Sequence, residues 1–149
     1  MKPIQYFSHW EQVRRELTET VDKFSDAELS FAPFAGSWPV GQIMLHIAEC
    51  EDHWLHGEVR HELEMPVIYT LADFPTRAEI NDVLSIAHRR TLLFLDQLDE
   101  ADLEREYRNR YGETFSLRWI IWHVLEHEIH HRGEFSLALG LLGREGLEV

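Results

Sequence analysis

Apolar residues recur at helical spacing in four long stretches of the chain. From about Ile4 to Lys23, Phe7, Trp10, Val13, Leu17 and Val21 return at steps of three and four, the period that lines up side chains on one face of an α-helix. A second pattern follows "GSWPVGQ", where Ser37 can cap and Pro39 suits a first turn, and continues through "IMLHIAECEDHWLHGEV". Thr76 and Glu79 make a capping box that opens a third helix, which reaches about Leu98. The fourth starts near Ser116 and runs to about Leu142, with Gly143 as its stop. Strand signals are weak except in "LEREYRNRYGETFSL", where alternation around Tyr111 and Gly112 predicts a small β-hairpin before the last helix. No linker, repeat or low-complexity segment interrupts the pattern. Four helices of comparable length in one domain, residues 1–149, predict an all-α fold, a four-helix bundle with binding sites between facing helices.

Composition agrees with a folded domain. The chain is 44% hydrophobic, and 149 residues are enough to bury roughly 70% of the surface that the unfolded form exposes. The single cysteine, Cys50, allows no disulfide within the chain and suits a reducing compartment. The opening "MKPIQYFSHWEQVRRELTE" turns polar before an apolar leader segment can form, and no apolar run approaches the ~20 residues of a membrane span. A cytoplasmic protein with no membrane partner is expected. With 27 acidic against 14 basic residues the formal net charge is −13, and no Lys/Arg cluster interrupts it. Nucleic-acid binding, which rests on cationic side chains displacing counterions, is not expected. The acidity reads first as a solvated surface.

The chemistry concentrates in "WHVLEHEIHHRGEF", residues 122–135, which holds His123, His127, His130 and His131. At about 100° per residue, Leu117, Ile120, Val124, His127, His131, Phe135, Ala138 and Leu142 fall within about 80° of arc. His127 and His131 therefore occupy core-facing positions. His123 lies at the edge of the stripe and His130 further round. Two imidazoles at i, i+4 can share one ion, and neutral imidazole is a ligand for Zn, Ni, Fe or Cu. The rival pair is His123 with His127. The plain structural alternative is a pair of core histidines satisfied by hydrogen bonds to other side chains or water. The letters also match the protease motif H-E-x-x-H at His127–His131. Only 18 residues follow His131, too few for a substrate-binding subdomain, and a bundle lacks an edge strand for an extended peptide, so proteolysis is disfavoured.

A catalytic ion usually takes three protein ligands and keeps one position open, so another helix must contribute. The second helix offers His46, Cys50, His53 and His56. Its apolar ladder is Val40, Ile43, Ile47, Cys50, Trp54 and Gly57, with His46 at the edge beside Cys50. Cys50 reads as a small buried hydrophobe, and His53 and His56 as surface residues.

Two segments, "SWPVGQIMLHIAECEDHWL" and "LRWIIWHVLEHEIHHRGEF", with their order and spacing, resemble the DinB/YfiT-like superfamily of metalloenzymes over nearly the whole chain. The resemblance implies a four-helix bundle, often a homodimer, with one divalent ion held by a histidine of the second helix and an H-x-x-x-H pair of the last. Carried onto this sequence, the metal ligands would be His46, His127 and His131; His46 rests mainly on the resemblance. Relatives usually read H-H-R-G-Q where this chain has Glu134 after Gly133, so a hydrogen bond donated by that amide has no counterpart here. Gly133 costs about 1 kcal/mol relative to alanine inside a helix, which predicts the close approach of a neighbouring helix or a ligand. Arg132 is expected to form a structural ion pair. Trp38, Trp54, Trp119 and Trp122 are packing material, with Trp54 near the site.

Relatives include thiol-dependent transferases and isomerases, and a divalent ion lowers the pKa of a coordinated thiol. The resemblance thus implies a metal-dependent thiol S-transferase. It would join a low-molecular-weight thiol to a small electrophile, with zinc or nickel as the ion. The alternatives are a hydrolase using a metal-bound hydroxide and a non-enzymatic metal-binding or stress-response protein. The composition provides no cationic clamp for a thiol's carboxylates.

Overall fold

The computed structural model describes residues 1–148. The first apolar stripe forms two helices, α1 (Pro3–Tyr6) and α2 (His9–Asp22), where one was expected. The break turns Phe7 inward, edge-on to Trp122 at 5.4 Å. The second is α3 (Val40–Glu51), continued by a π-helical segment, Asp52–Val59. Ser37 does not cap α3: its hydroxyl donates to the Trp38 carbonyl, and the Val40 N–H is satisfied by the Phe31 carbonyl at 2.9 Å.

The π segment also corrects the reading of His56. Its i→i+5 bonding widens the turn and shifts every later side chain off the 3.6-residue ladder. Asp52, Leu55, His56 and Val59 consequently face inward. His56 is fully buried, with Nε2 3.1 Å from the Thr91 hydroxyl. His53 is half-buried.

The remaining elements follow the local signals. Thr76 and Glu79 close the capping box of α4 (Arg77–Gln97). Strands β1 (Glu106–Arg108) and β2 (Thr114–Ser116) pair antiparallel, with Tyr107 opposite Phe115. Gly112, at φ +83°, supplies the left-handed turn residue between them. Ser116 caps α5 (Leu117–Leu141), and Gly143 ends it at φ +75°. No helix among the described residues is long and apolar enough to cross a membrane.

In the four-helix bundle, α2 and α3 each pack chiefly on α4 and α5, so α2 and α3 stand diagonally opposed. The core is split along the bundle axis into two apolar clusters. One holds Leu17, Phe24, Met44, Leu84 and Phe135; the other holds Trp10, Leu55, Leu95, Ile121 and Leu125. Between them in all four helices lies a buried polar layer of Arg14, Glu51, His88 and Glu128. The Arg14 guanidinium forks onto Glu128, with Nε to Oε1 and Nη2 to Oε2 both at 2.8 Å. It crosses the diagonal to Glu51 at 2.6 Å and donates to the Leu84 carbonyl at 2.7 Å. Trp10 Nε1 donates to Glu128, and His88 Nδ1 lies 3.1 Å from Glu51. Burial alone would raise the Glu51 pKa, but Arg14 and His88 outweigh it and hold the carboxyl down to about 2.

Removing one member of such a layer strands the others without partners. Arg14→Met is expected to cost about 3–5 kcal/mol in urea unfolding, whereas replacing Arg14, Glu51 and Glu128 together by apolar residues should cost much less. Equal losses in the two variants would refute this account of the layer. Acid should also destabilise the fold in two stages. Burial pushes His56 down from its ordinary 6.5 to about 4. The unfolded chain therefore takes up a proton below pH 6.5 that the folded chain refuses, and stability falls from there toward pH 4. The contribution of Glu51, present above its ordinary 4.5, is lost as the pH drops further toward 2. A stability profile flat from pH 7 to pH 4 would contradict the first stage.

Candidate metal centre

His46 comes from the middle of α3, and His127 and His131 from successive turns of α5, two helices that pack directly together. The fold brings the three predicted residues to one point. His127 Nε2 lies 3.1 Å from His46 Nε2 and 3.1 Å from His131 Nε2, and all three atoms fall within 4.8 Å of one another. The rings stand nearly perpendicular to each other, as side chains do when they aim one edge at a common centre.

Carboxylates orient two of the three rings from behind. Glu49 Oε2 lies 3.0 Å from His46 Nδ1, and Glu134 Oε2 lies 2.6 Å from His131 Nδ1. An Nδ1–H donated to a carboxylate leaves the Nε2 lone pair pointing forward, the usual arrangement behind a metal-binding histidine. Both carboxylates sit three residues after their histidine, as H-x-x-E. That repeated spacing is visible in the sequence, a signal for the carboxylates that the histidine ladder alone does not carry. Glu134 here accepts a hydrogen bond where donation by an amide was the open question. The other Glu49 oxygen, Oε1, accepts from the Tyr69 backbone N–H at 2.7 Å.

A divalent ion fits this donor set. With Nδ1–H given to carboxylates, neutral His46 and His131 rings each turn an Nε2 lone pair toward His127. A neutral His127 has one ring proton, and its Nδ1 is buried with no partner. Placed on Nε2, that proton can meet only one of the two lone pairs; placed on Nδ1, three lone pairs face one another. Protein hydrogen bonds alone leave the cluster unbalanced, and a cation balances it. Nitrogen ligands about 2.0–2.1 Å from one ion would stand roughly 3.0–3.4 Å apart, a range that includes the 3.1 Å from His127 to each of the other two nitrogens. Protonation does not compete near neutral pH at His127 or His131. Burial, then the neighbouring histidines, pushes His127 down to about 3, and burial outweighs Glu134 to lower His131.

The other candidates fall outside the triad. Cys50 is buried, and its sulfur is not among the atoms that converge with the three nitrogens. Burial, with Glu51, Glu128 and Glu49 adding to it, pushes the thiol up to about 12. His123 stacks flat on Trp119, with ring centroids 4.8 Å apart, and stays 6.5 Å from the His127 ring. Trp54 lies edge-on to His123, and Phe115 of the hairpin stacks on Trp119. Trp54 and His123, backed by this aromatic stack, form one wall of a cavity of about 340 Å³, lined also by His46, Cys50, His53 and His127. His53 and His123 both have pKa values lowered by burial. His130 is exposed, 3.3 Å from Glu134. Arg132 pairs with Glu16 of α2. Gly133 disagrees with expectation: a methyl group there would meet nothing within 4 Å, so no neighbour demands the glycine.

Comparison with known proteins places this site in a family. The family model of the DinB superfamily matches residues 9–135. The Bacillus subtilis (strain 168) protein YjoA is 24% identical over 96% of this chain and 92% of its own length. Its crystal structure matches with a TM-score of 0.77, as does that of a DinB-like protein from Bacillus cereus at 18% identity, which covers 97% of this chain and 95% of the other. YfiT from Bacillus subtilis, described as a probable metal-dependent hydrolase with an unusual four-helix bundle topology, matches at TM-score 0.66 and 20% identity, over 91% and 86% of the two chains. The structural likenesses establish the bundle. The family match, which spans most of the sequence including all three histidines, makes this chain a member of the DinB superfamily.

Proposed function

We propose that the chain is a metal-dependent enzyme. His46, His127 and His131 would hold one divalent transition ion, zinc or nickel, and the reaction would join a low-molecular-weight thiol to a small electrophile. The observation that carries this reading is the convergence of three imidazole Nε2 atoms, two of them oriented by carboxylates, at the wall of a cavity. A divalent ion bound there would supply a lowered pKa to a thiol or a water molecule.

The protein's own groups define what that chemistry needs. Neutral imidazoles leave the positive charge of an ion undiminished, as carboxylate or thiolate ligands would not. No fourth histidine, cysteine or carboxylate joins the triad among the described residues, so an ion held by these three would have a coordination position left for substrate. Cys50, kept protonated by burial, is no competing nucleophile. In the transfer, the thiol sulfur forms a bond to the electrophilic carbon, and the bond from that carbon to its leaving group breaks and gives its electron pair to the departing group. The thiol proton passes to a neutral imidazole of the cavity, His53 or His123, and then to solvent. The description of YfiT favours a second reading, hydrolysis, with water in the place of the thiol.

Metal analysis of protein prepared without a histidine tag should find about one transition ion per chain. His127→Ala and His131→Ala should abolish binding while His123→Ala retains it; full affinity in His127→Ala would sink the ligand assignment. Glu134→Ala should weaken affinity about 10- to 100-fold through loss of ring orientation. The metal-loaded protein should conjugate an aryl halide to a small thiol at a rate that rises with thiol concentration and disappears on metal removal. Metal-dependent ester or amide cleavage with no thiol dependence would replace the transferase by the hydrolase.

A further inference from the structure

The histidine triad borders two cavities that differ in how many ionisable residues line them. The one described above is the more polar, with His46 and His127 on its wall beside Glu49, His53 and His123. The second, about 290 Å³, begins at His131 and is lined by Phe34, Trp38, Ile43, Phe135 and Leu137. Its floor is core: Ile43 is 9% exposed and Phe135 0%. Its rim is apolar yet open to solvent, with Phe34 70%, Leu137 66% and Trp38 54% exposed. Large apolar side chains held that far out around a concave apolar floor gain burial only when something apolar sits between them.

This cavity is continuous with the metal centre. His131 forms part of its lining, and the Trp38 ring stands edge-on to His46 at 5.2 Å. A group seated there lies against His131, one of the three proposed ligands, and against Trp38, whose ring packs on a second, His46. The only ionisable residues on its wall are His131 and Glu134, and they are hydrogen-bonded to each other. No Lys or Arg lines it to receive an anionic group, and Glu134 disfavours one. A cavity of about 150 Å³ accommodates benzene, so this one has room for a substituted or fused ring.

We propose that the apolar cavity receives the uncharged aromatic or alkyl body of the electrophile, leaving the polar cavity to the thiol. The two substrates of one transfer would then approach the triad from different sides. The assignment of partners rests on the transferase reading; the affinity of the cavity for an apolar ring does not, and the two are tested separately.

Benzyl alcohol, an unreactive probe, is titrated into the ¹⁵N-labelled protein with zinc bound. Shifts are expected at the Trp38 indole N–H and at the amides of Phe34 and Leu137. Leu137→Asp and Phe34→Asp, both at exposed positions and therefore tolerated by the fold, should weaken probe binding at least tenfold with zinc stoichiometry unchanged. In the conjugation assay the same variants should raise the KM for an aryl halide about tenfold and leave the KM for the thiol within twofold. Shifts confined to His53, Trp54 and Val67, or no saturable shift, would overturn the proposal whatever the enzyme's activity. Probe binding in the apolar cavity without thiol transfer would retain the apolar site and remove the transferase. Equal KM increases for both substrates would overturn the division between the cavities.

Discussion

The Arg14 guanidinium, stretched across the diagonal of the bundle between Glu51 and Glu128, is the constraint on which the site geometry depends. Helices in an apolar bundle can rotate by a few tens of degrees at little cost if the side chains repack, since hydrophobic burial has no direction. A forked ion pair does have one. Glu128 follows His127 directly in α5, about 100° round the helix, so fixing Glu128 against Arg14 and Trp10 on α2 turns His127 and His131 toward α3. Glu51, five residues after His46, does the same for α3 from the opposite end of the diagonal. The layer is weak evidence for stability, because desolvating three charges offsets much of their attraction. Its contribution is rotational register.

The layer also accounts for where the histidines sit along the axis. Buried apolar residues of α5 stop at Leu125 and resume at Phe135, and the interval contains Glu128, His127 and His131. Polar groups that would each be costly in the core share one level of the bundle, where they can satisfy one another and leave the apolar clusters above and below unbroken. Burial at that level keeps His127 in the neutral form that a ligand requires.

The sequence made legible what depends on near neighbours. The periods of the third and fourth helices, the Thr76 cap, the helix start at Ser116, the Gly143 stop and the hairpin all come from interactions within a few residues, and they appear where expected. The facing of His127 and His131 follows from one helical period and was readable for the same reason. Periodicity favours Cys50, which lies on the apolar ladder, over His46 at its edge, and only packing against α5 decides which reaches the pair. The polar layer joins residues 37 to 118 positions apart, and no local pattern announces it. His56 was misread because a ladder of 3.6 residues was carried through a segment that winds more widely.

That π segment connects to the site through the loop that follows it. Gly57 lets Met65 approach so closely that an added methyl would lie 2.2 Å from its sulfur. The chain beyond Met65 then lies along α3, where Gln42 bonds to the Tyr69 carbonyl and the Leu71 N–H, and the Tyr69 hydroxyl donates to Asp52. The same stretch supplies the Tyr69 N–H to Glu49, whose other oxygen orients His46, and it places Val67 on the wall of the polar cavity. One carboxylate thus ties the position of a cavity-lining loop to the direction of a proposed ligand's lone pair. A displacement of the loop would free Glu49 from one of its two partners.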